Sequence, residues 1–181
     1  MTKDQQRRIA LSARRALSIP ERKRANAAIC ESLLTLPQVR DAETILTYRA
    51  MTDEVSLETL NAALAAQGKR LAYPVSLPHG RMEAWAPGSW RQGAYGIWEP
   101  ERETSRLVPP ERVDLVLVPC VAFDARRSRL GHGAGYYDRY LSQCRAFTVC
   151  VAYEAQKLDA VVCDAYDRRP DLVVTEAAVY R

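Results

Sequence analysis

The stretch SRLGHGAGYYDRYL, Ser128 to Leu141, places three of the chain's eight glycines within five positions, at Gly131, Gly133 and Gly135. Such a loop can turn several backbone N–H groups towards one point, because glycine accepts positive φ and carries no side chain to block a ligand. If a helix opens at Tyr136, the free donors of its first turn add partial positive charge. Arg126, Arg127 and Arg129 add fixed charge beside it. The chemistry this permits is the holding of a phosphate. The spacing matches neither a Walker A loop, which needs a G-K-[ST] ending, nor a dinucleotide fingerprint, whose third glycine comes later. On spacing alone, an ordinary turn explains the glycines equally well.

Asp138 follows at once. A carboxylate in a first helical turn is favoured by the helix dipole alone, and it is also a fitting magnesium ligand beside phosphates. Tyr136 and Tyr137 read equally as core aromatics. A second set of cations lies near the N-terminus. At about 100° per residue, Lys3, Arg7 and Arg14 fall within roughly 40° on one helix face. Ile9, Ala13 and Ala16 occupy another. A solvated basic face is the default meaning of such a pattern.

These residues need a scaffold, and the chain supplies an alternating one. Residues 3–17 predict a helix, and SIPERKRANAAICESLLTL predicts a second, with Ser18 and Glu21 as a capping box and Pro20 in the first turn. ETILTYRAM and KRLAYPV read as strands around the helix SLETLNAALAAQG, giving a β-α-β unit over residues 44–75. RMEAWAP suggests another strand, and the Gly- and Pro-rich segment up to Val113 reads as irregular. VDLVLVPCVAF is nearly continuously apolar, as a central strand covered on both faces should be. AFTVCVAY and DLVVTEA predict two more strands, separated by a short helix over EAQKLDAVVC. The expectation is a single domain over residues 1–181, a three-layer α/β/α fold with a mainly parallel sheet. Ligands of such sheets bind beyond the carboxyl ends of the strands, where residues 124–138 should lie.

Composition narrows the function. The net charge of +4 fits an anionic ligand and is too weak to imply nucleic acid. Five cysteines without C-x-x-C spacing, and only two histidines, argue against a disulfide framework or zinc site and for a cytoplasmic protein. No apolar run reaches the ~20 residues of a membrane span. The start of the chain lacks a secretory signal.

Taken together, LVLVPCVAFDARRSRLGHGAGYYDRYL closely resembles the signature of the 5-formyltetrahydrofolate cyclo-ligase (5,10-methenyltetrahydrofolate synthetase) family. RRALS, MTDEV, GKRLAYP, YGIWEP and PDLVVT occur in the family's order along nearly the whole chain. The resemblance implies an enzyme that uses ATP and magnesium to turn 5-formyltetrahydrofolate into 5,10-methenyltetrahydrofolate, releasing ADP and phosphate. It implies ATP contacts from Lys3, Arg7 and the loop Arg129, Leu130, Gly131, His132, Gly133, Ala134, Gly135, Tyr136 and Tyr137. Loop residues 132–136 are shared with the folate, for which it adds Arg49, Glu54 and Tyr95 and, more weakly, Tyr153. It implies Asp138 and Asp171 as the magnesium carboxylates, and it leaves Arg14 open. The chain departs from the family at Cys120, where glycine is common, and at His132 and Ala134, so a lysine contact to phosphate at residue 134 is absent. A monomer binding neither nucleic acid nor membrane is expected.

Rival readings are a folate- or nucleotide-binding relative without turnover, and a basic RNA-binding module over residues 1–24. The second lacks the interleaved aromatics such a surface uses, since none precedes Tyr48. A sugar-phosphate isomerase would rest on topology alone.

Overall fold

The computed structural model describes residues 1–93 and 96–181. Its strands are β1 (Thr44–Leu46), β2 (Arg70–Leu77), β3 (Arg81–Ala86), β4 (Trp90–Gln92), β5 (Trp98–Pro100), β6 (Arg106–Val108), β7 (Leu115–Pro119), β8 (Ala122–Phe123), β9 (Arg129–Leu130), β10 (Phe147–Val151), β11 (Leu172–Val174) and β12 (Val179–Tyr180). Its helices are α1 (Lys3–Ala16), α2 (Ile19–Thr35), α3 (Pro37–Asp41), α4 (Glu58–Ala66) and α5 (Tyr136–Leu141).

Eight strands form one sheet in the order β12-β11-β10-β7-β1-β2-β3-β6. The pairs from β11 through β2 are parallel, whereas β12, β3 and β6 run antiparallel at the edges. Both faces are covered. Leu115 and Leu117 of β7 pack with Ile29 and Leu33 of α2 and Leu60 and Leu64 of α4. Val116 and Val118 face the other way, towards Tyr140 of α5. Two buried faces explain the unbroken apolar run of β7, and each such side chain contributes about 2 kcal/mol of hydrophobic stabilisation.

The capping boxes form as the residue types dictate. The Ser18 hydroxyl accepts the Glu21 amide while the Glu21 carboxylate accepts the Ser18 amide, and Thr2 and Gln5 do the same for α1. Helix α4 starts at Glu58, two residues later than the sequence pattern suggests, with Leu57 in the capping position and no side-chain cap.

Three stretches differ from expectation. VDLVLVPCVAF, read as one strand, divides into β7 and β8, and β8 pairs with β9 outside the main sheet. The segment read as irregular holds a β4–β5 hairpin and strand β6. The hairpin docks on β2, where the Trp90 ring meets Tyr73 edge-on at 4.8 Å and the Glu99 carboxylate accepts both the Ser76 amide and Arg91. The helix expected over EAQKLDAVVC is only a 3-10 turn, Glu154–Gln156. Beyond it, partners from elsewhere hold the chain extended. Gln6 donates to the Ala160 carbonyl and accepts the Val162 amide, and Asp124 accepts the Val161 amide. With those groups taken, the i to i−4 ladder cannot form.

The aspartates that precede two parallel strands do one job. Asp114 Oδ2, ahead of β7, accepts the Glu43 and Thr44 amides at the start of β1. Asp171 Oδ2, ahead of β11, accepts the Thr148 amide at the start of β10 at 2.7 Å. Each closes the amino-terminal edge of the sheet.

The chain leaves β1 towards β2 on one side, while β7 leads to β10 and β11 on the other. The strand order therefore reverses between β1 and β7, and a crevice opens at their carboxyl ends.

Candidate active site

That crevice is a cavity of about 600 Å³. Pro119, at the end of β7, forms its floor with Tyr48 and Arg49, which follow β1, and Tyr73 and Ser76 of β2. After β7 the chain doubles back through the β8–β9 hairpin, whose turn Asp124 ties by accepting the Arg126 and Ser128 amides. The hairpin delivers Arg129 and Leu130 to the cavity, and the glycine loop follows.

The loop is built as its residue types require. Gly133 has φ +106° and Gly135 has φ +71°, conformations that strain any L side chain. Arg139 holds the loop from outside, donating to the Ala134 carbonyl at 2.6 Å and to the Gly80 carbonyl at 3.0 Å. Among the described residues, no amide from Gly131 to Gly135 finds an acceptor. Gly131, His132, Gly133, Ala134 and Gly135 all line the cavity, as do Tyr136 and Tyr137. Burial, reinforced by the charge of Glu54, pushes the Tyr137 hydroxyl far above its ordinary value, so it stays a neutral donor.

Helix α1 lays its cationic side against this loop. Arg7 donates through Nε to the Gly131 carbonyl at 2.9 Å, and its guanidinium lies beside Gly133. Lys3 pairs with Asp164 at 2.7 Å and Asp167 at 2.6 Å. Burial opposes the charge on Lys3, but the two carboxylates outweigh it and raise its pKa. The face that reads as solvated is thus the packed one: α1 buries Gln6, Ala10 and Arg14, whereas Ile9 is exposed.

The acids of the cavity correct one expectation. Asp138 accepts from Arg129 and from the Arg168 amide, both on Oδ1. Its acidic neighbours in the cavity lining are Asp164 and Asp167, not Asp171. Asp171 precedes a parallel strand and so stands at the opposite edge of the sheet, its carboxylate engaged by Thr148. Asp167 has one oxygen on Lys3 and the Asp164 amide. Its burial favours the neutral acid, yet those hydrogen bonds prevail and hold its pKa below the usual value.

Across the cavity, Glu54 sits in the turn after β1. Its Oε2 accepts the Met51 amide at 3.0 Å, while Oε1 lies 3.5 Å from His132 Nε2 and 3.8 Å from Arg14 Nη1. Arg49 stacks on Trp90 at 4.7 Å and lines the same space. Tyr153 does not: it is fully buried, donating to Asn26 and to the Glu54 carbonyl. Tyr95 lies outside the described residues. Trp98, half-exposed on the β4–β5 hairpin, lines the cavity with Ile97 and Met82. Sequence reasoning missed Trp98, although an aromatic in a Gly- and Pro-rich segment was a usable signal.

The arrangement combines a cationic, amide-rich end suited to phosphates with an end walled by tryptophan, methionine and a carboxylate. No helix among the described residues is long and apolar enough to cross a membrane.

Comparison with known proteins agrees with this architecture. Residues 1–176 match the model of the 5-formyltetrahydrofolate cyclo-ligase family. The 5-formyltetrahydrofolate cyclo-ligase of Haemophilus influenzae is 30% identical over 159 residues, covering 83% of this chain and 85% of its own. That of Escherichia coli K12 is 26% identical over 175 residues, covering 92% and 96%. The NMR structure of Aquifex aeolicus 5,10-methenyltetrahydrofolate synthetase superposes with a TM-score of 0.87 at 34% identity, over 100% of this chain and 93% of that one. The synthetase from Mycoplasma pneumoniae gives 0.80 at 27%, over 97% and 99%. Sequence, sheet order and cavity thus converge, and the chain is an enzyme belonging to the 5-formyltetrahydrofolate cyclo-ligase family.

Proposed function

We propose that the protein, acting as a cytoplasmic monomer, converts 5-formyltetrahydrofolate and ATP into 5,10-methenyltetrahydrofolate, ADP and phosphate. The observation that carries this reading is the single cavity in which Lys3, Arg7, Arg129 and the amides of residues 131–135, unpaired among the described residues, face Glu54 and Trp98.

The chemistry explains the need for both ends. The formyl carbon on N5 is amide-like, and its oxygen leaves poorly. Transfer of the terminal phosphoryl group of ATP to that oxygen makes it a leaving group. N10 of the same folate then attacks the carbon, loses its proton, and the five-membered ring closes as phosphate departs. Nucleophile and electrophile both belong to the substrates, so the protein contributes placement and charge stabilisation.

In this reading Arg7 and Arg129 hold the phosphates, helped by the loop amides, and Lys3 exchanges its two carboxylates for phosphate oxygens. Glu54 accepts hydrogen bonds from the N–H groups of the reduced pterin. Trp98 lies against the flat part of the folate, and Arg49 closes the same wall.

The donor set fits magnesium arriving with ATP. Asp138 and Asp167 each use one oxygen within the protein and keep the other open among the described residues. No cluster of three or more metal-binding side chains occurs among the described residues. Two carboxylates completed by phosphate and water suit this hard cation, which would supply charge neutralisation at the transferred phosphoryl group. We therefore assign its ligands as Asp138 and Asp167.

The test is direct. Purified protein with 5-formyltetrahydrofolate, ATP and magnesium should produce the methenyl absorbance, and omission of either ATP or metal should abolish it. Retention of the folate without product would favour the non-catalytic relative.

A further inference from the structure

Arg14 is 1% exposed and ranks among the largest fully buried side chains of the described residues. Taking a guanidinium out of water is costly unless its donors are all met, and an apolar side chain of the same volume is often no worse for stability. Here they are not all met. Nη2 donates to Asp53 Oδ1 at 2.9 Å, but Nη1 stands 3.8 Å from Glu54 Oε1, beyond hydrogen-bond range. Nε and Nη1 have no partner among the described residues. Packing alone gives no reason for an arginine at this position.

Its placement does. The guanidinium lies behind the turn Met51–Glu54, whose acid also faces His132 of the glycine loop. Asp53 and Glu54 are neighbours, so one planar cation spans both carboxylates. Arg14 belongs to the helix that carries Lys3 and Arg7 to the phosphate end. A single rod of three turns thereby links the two ends of the cavity.

We propose that Arg14 is a positioning residue for the folate site: it holds the turn through Asp53 and aims the Glu54 carboxylate at the pterin. This rests on the reading of Glu54 as the acid that contacts substrate. The unmet Nη1 then closes on Glu54 when the folate is bound, so the cost of the buried charge is recovered in the complex rather than in the free enzyme.

The test compares Arg14→Met, Arg14→Lys, Glu54→Gln and the double variant Arg14→Met/Glu54→Gln by steady-state kinetics, with thermal unfolding to certify each fold. Arg14→Met should raise the KM for 5-formyltetrahydrofolate about tenfold, with the ATP KM within about twofold. The double variant should be no more than about twofold worse than Glu54→Gln, because both changes remove one interaction. Arg14→Lys, which restores one donor, should recover part of the loss. An unchanged folate KM, an equal rise in both KM values, or multiplying effects in the double variant would overturn the proposal. If Arg14→Met fails to fold, Arg14→Lys decides: a folate KM raised several-fold at constant ATP KM supports it, and no change refutes it. A wild-type enzyme that made no methenyl product would instead refute the assigned reaction. Equilibrium retention of 5-formyltetrahydrofolate by the variants would still judge Arg14.

Discussion

Asp114 and Asp171 stand at the amino ends of parallel strands, whereas Asp138 and Asp167 stand in the cavity beyond the carboxyl ends. The side chain is the same and the outcome is opposite. At the amino end, the first amides of the neighbouring strand lie within reach and lack a ladder partner, so the carboxylate is taken up by backbone. At the carboxyl end the chain departs into loops. The acids there meet cations brought by other elements, Arg129 beside Asp138 and Lys3 beside Asp167, and each has one oxygen without a partner among the described residues. Under the proposed assignment, these two amino-edge aspartates serve the sheet, while the two in the cavity serve the ligand.

The strongest attempt to break that comparison is Asp138→Asn. This change keeps an acceptor for Arg129 but removes the charge, and turnover should fall on the order of a hundredfold or more while the melting temperature moves little. A near-wild-type rate would remove Asp138 from the chemistry.

A paired substitution sharpens it. Asp167→Ala should raise the magnesium concentration needed for half-maximal rate about ten- to a hundredfold. Asp171→Ala should leave the kinetics alone and lower Tm by about 2–4 °C, the loss of one backbone hydrogen bond. The reverse pattern, read from magnesium titrations and melting curves on both variants, would return the ion to Asp171.

Arg7→Ala removes a cation from the loop without touching either class of acid in the cavity lining. The ATP KM should rise about tenfold and the folate KM should stay within about twofold, as measured by varying each substrate in turn. A rise confined to the folate KM would misplace α1.

The smallest effect belongs wholly to the amino edge. Asp114 accepts two amides where Asp171 accepts one. Asp114→Ala should therefore lower Tm more than Asp171→Ala, with both KM values unchanged. Equal melting temperatures would show that these caps contribute nothing separable.

Much of this could be read locally. The capping boxes, the apolar run of β7 and the glycine loop are each specified by residues a few positions apart, and short-range geometry is what residue type controls. That Lys3 and Arg7 share one helix face was visible for the same reason, but only the family resemblance pointed them towards phosphate. Asp167 was not visible. It lies in a long crossover without hydrophobic period, and the side chains of Gln6, Asp124, Lys3 and Asp138, all distant in sequence, fix where that crossover runs. Its one clue was a pair of acids three residues apart, Asp164 and Asp167, in a polar stretch. Trp98 was hidden differently, since a three-residue strand carries too little alternation to announce a hairpin.

The sequence by itself determined the alternating strands and helices, the positive-φ loop and the family, because each depends on local spacing or on motif order. Only the tertiary structure decided which face of α1 is buried, which aspartates share the cavity, and that Arg14 lies behind Glu54. Those facts depend on groups distant in the chain meeting at the reversal of strand order, and no local pattern encodes that meeting.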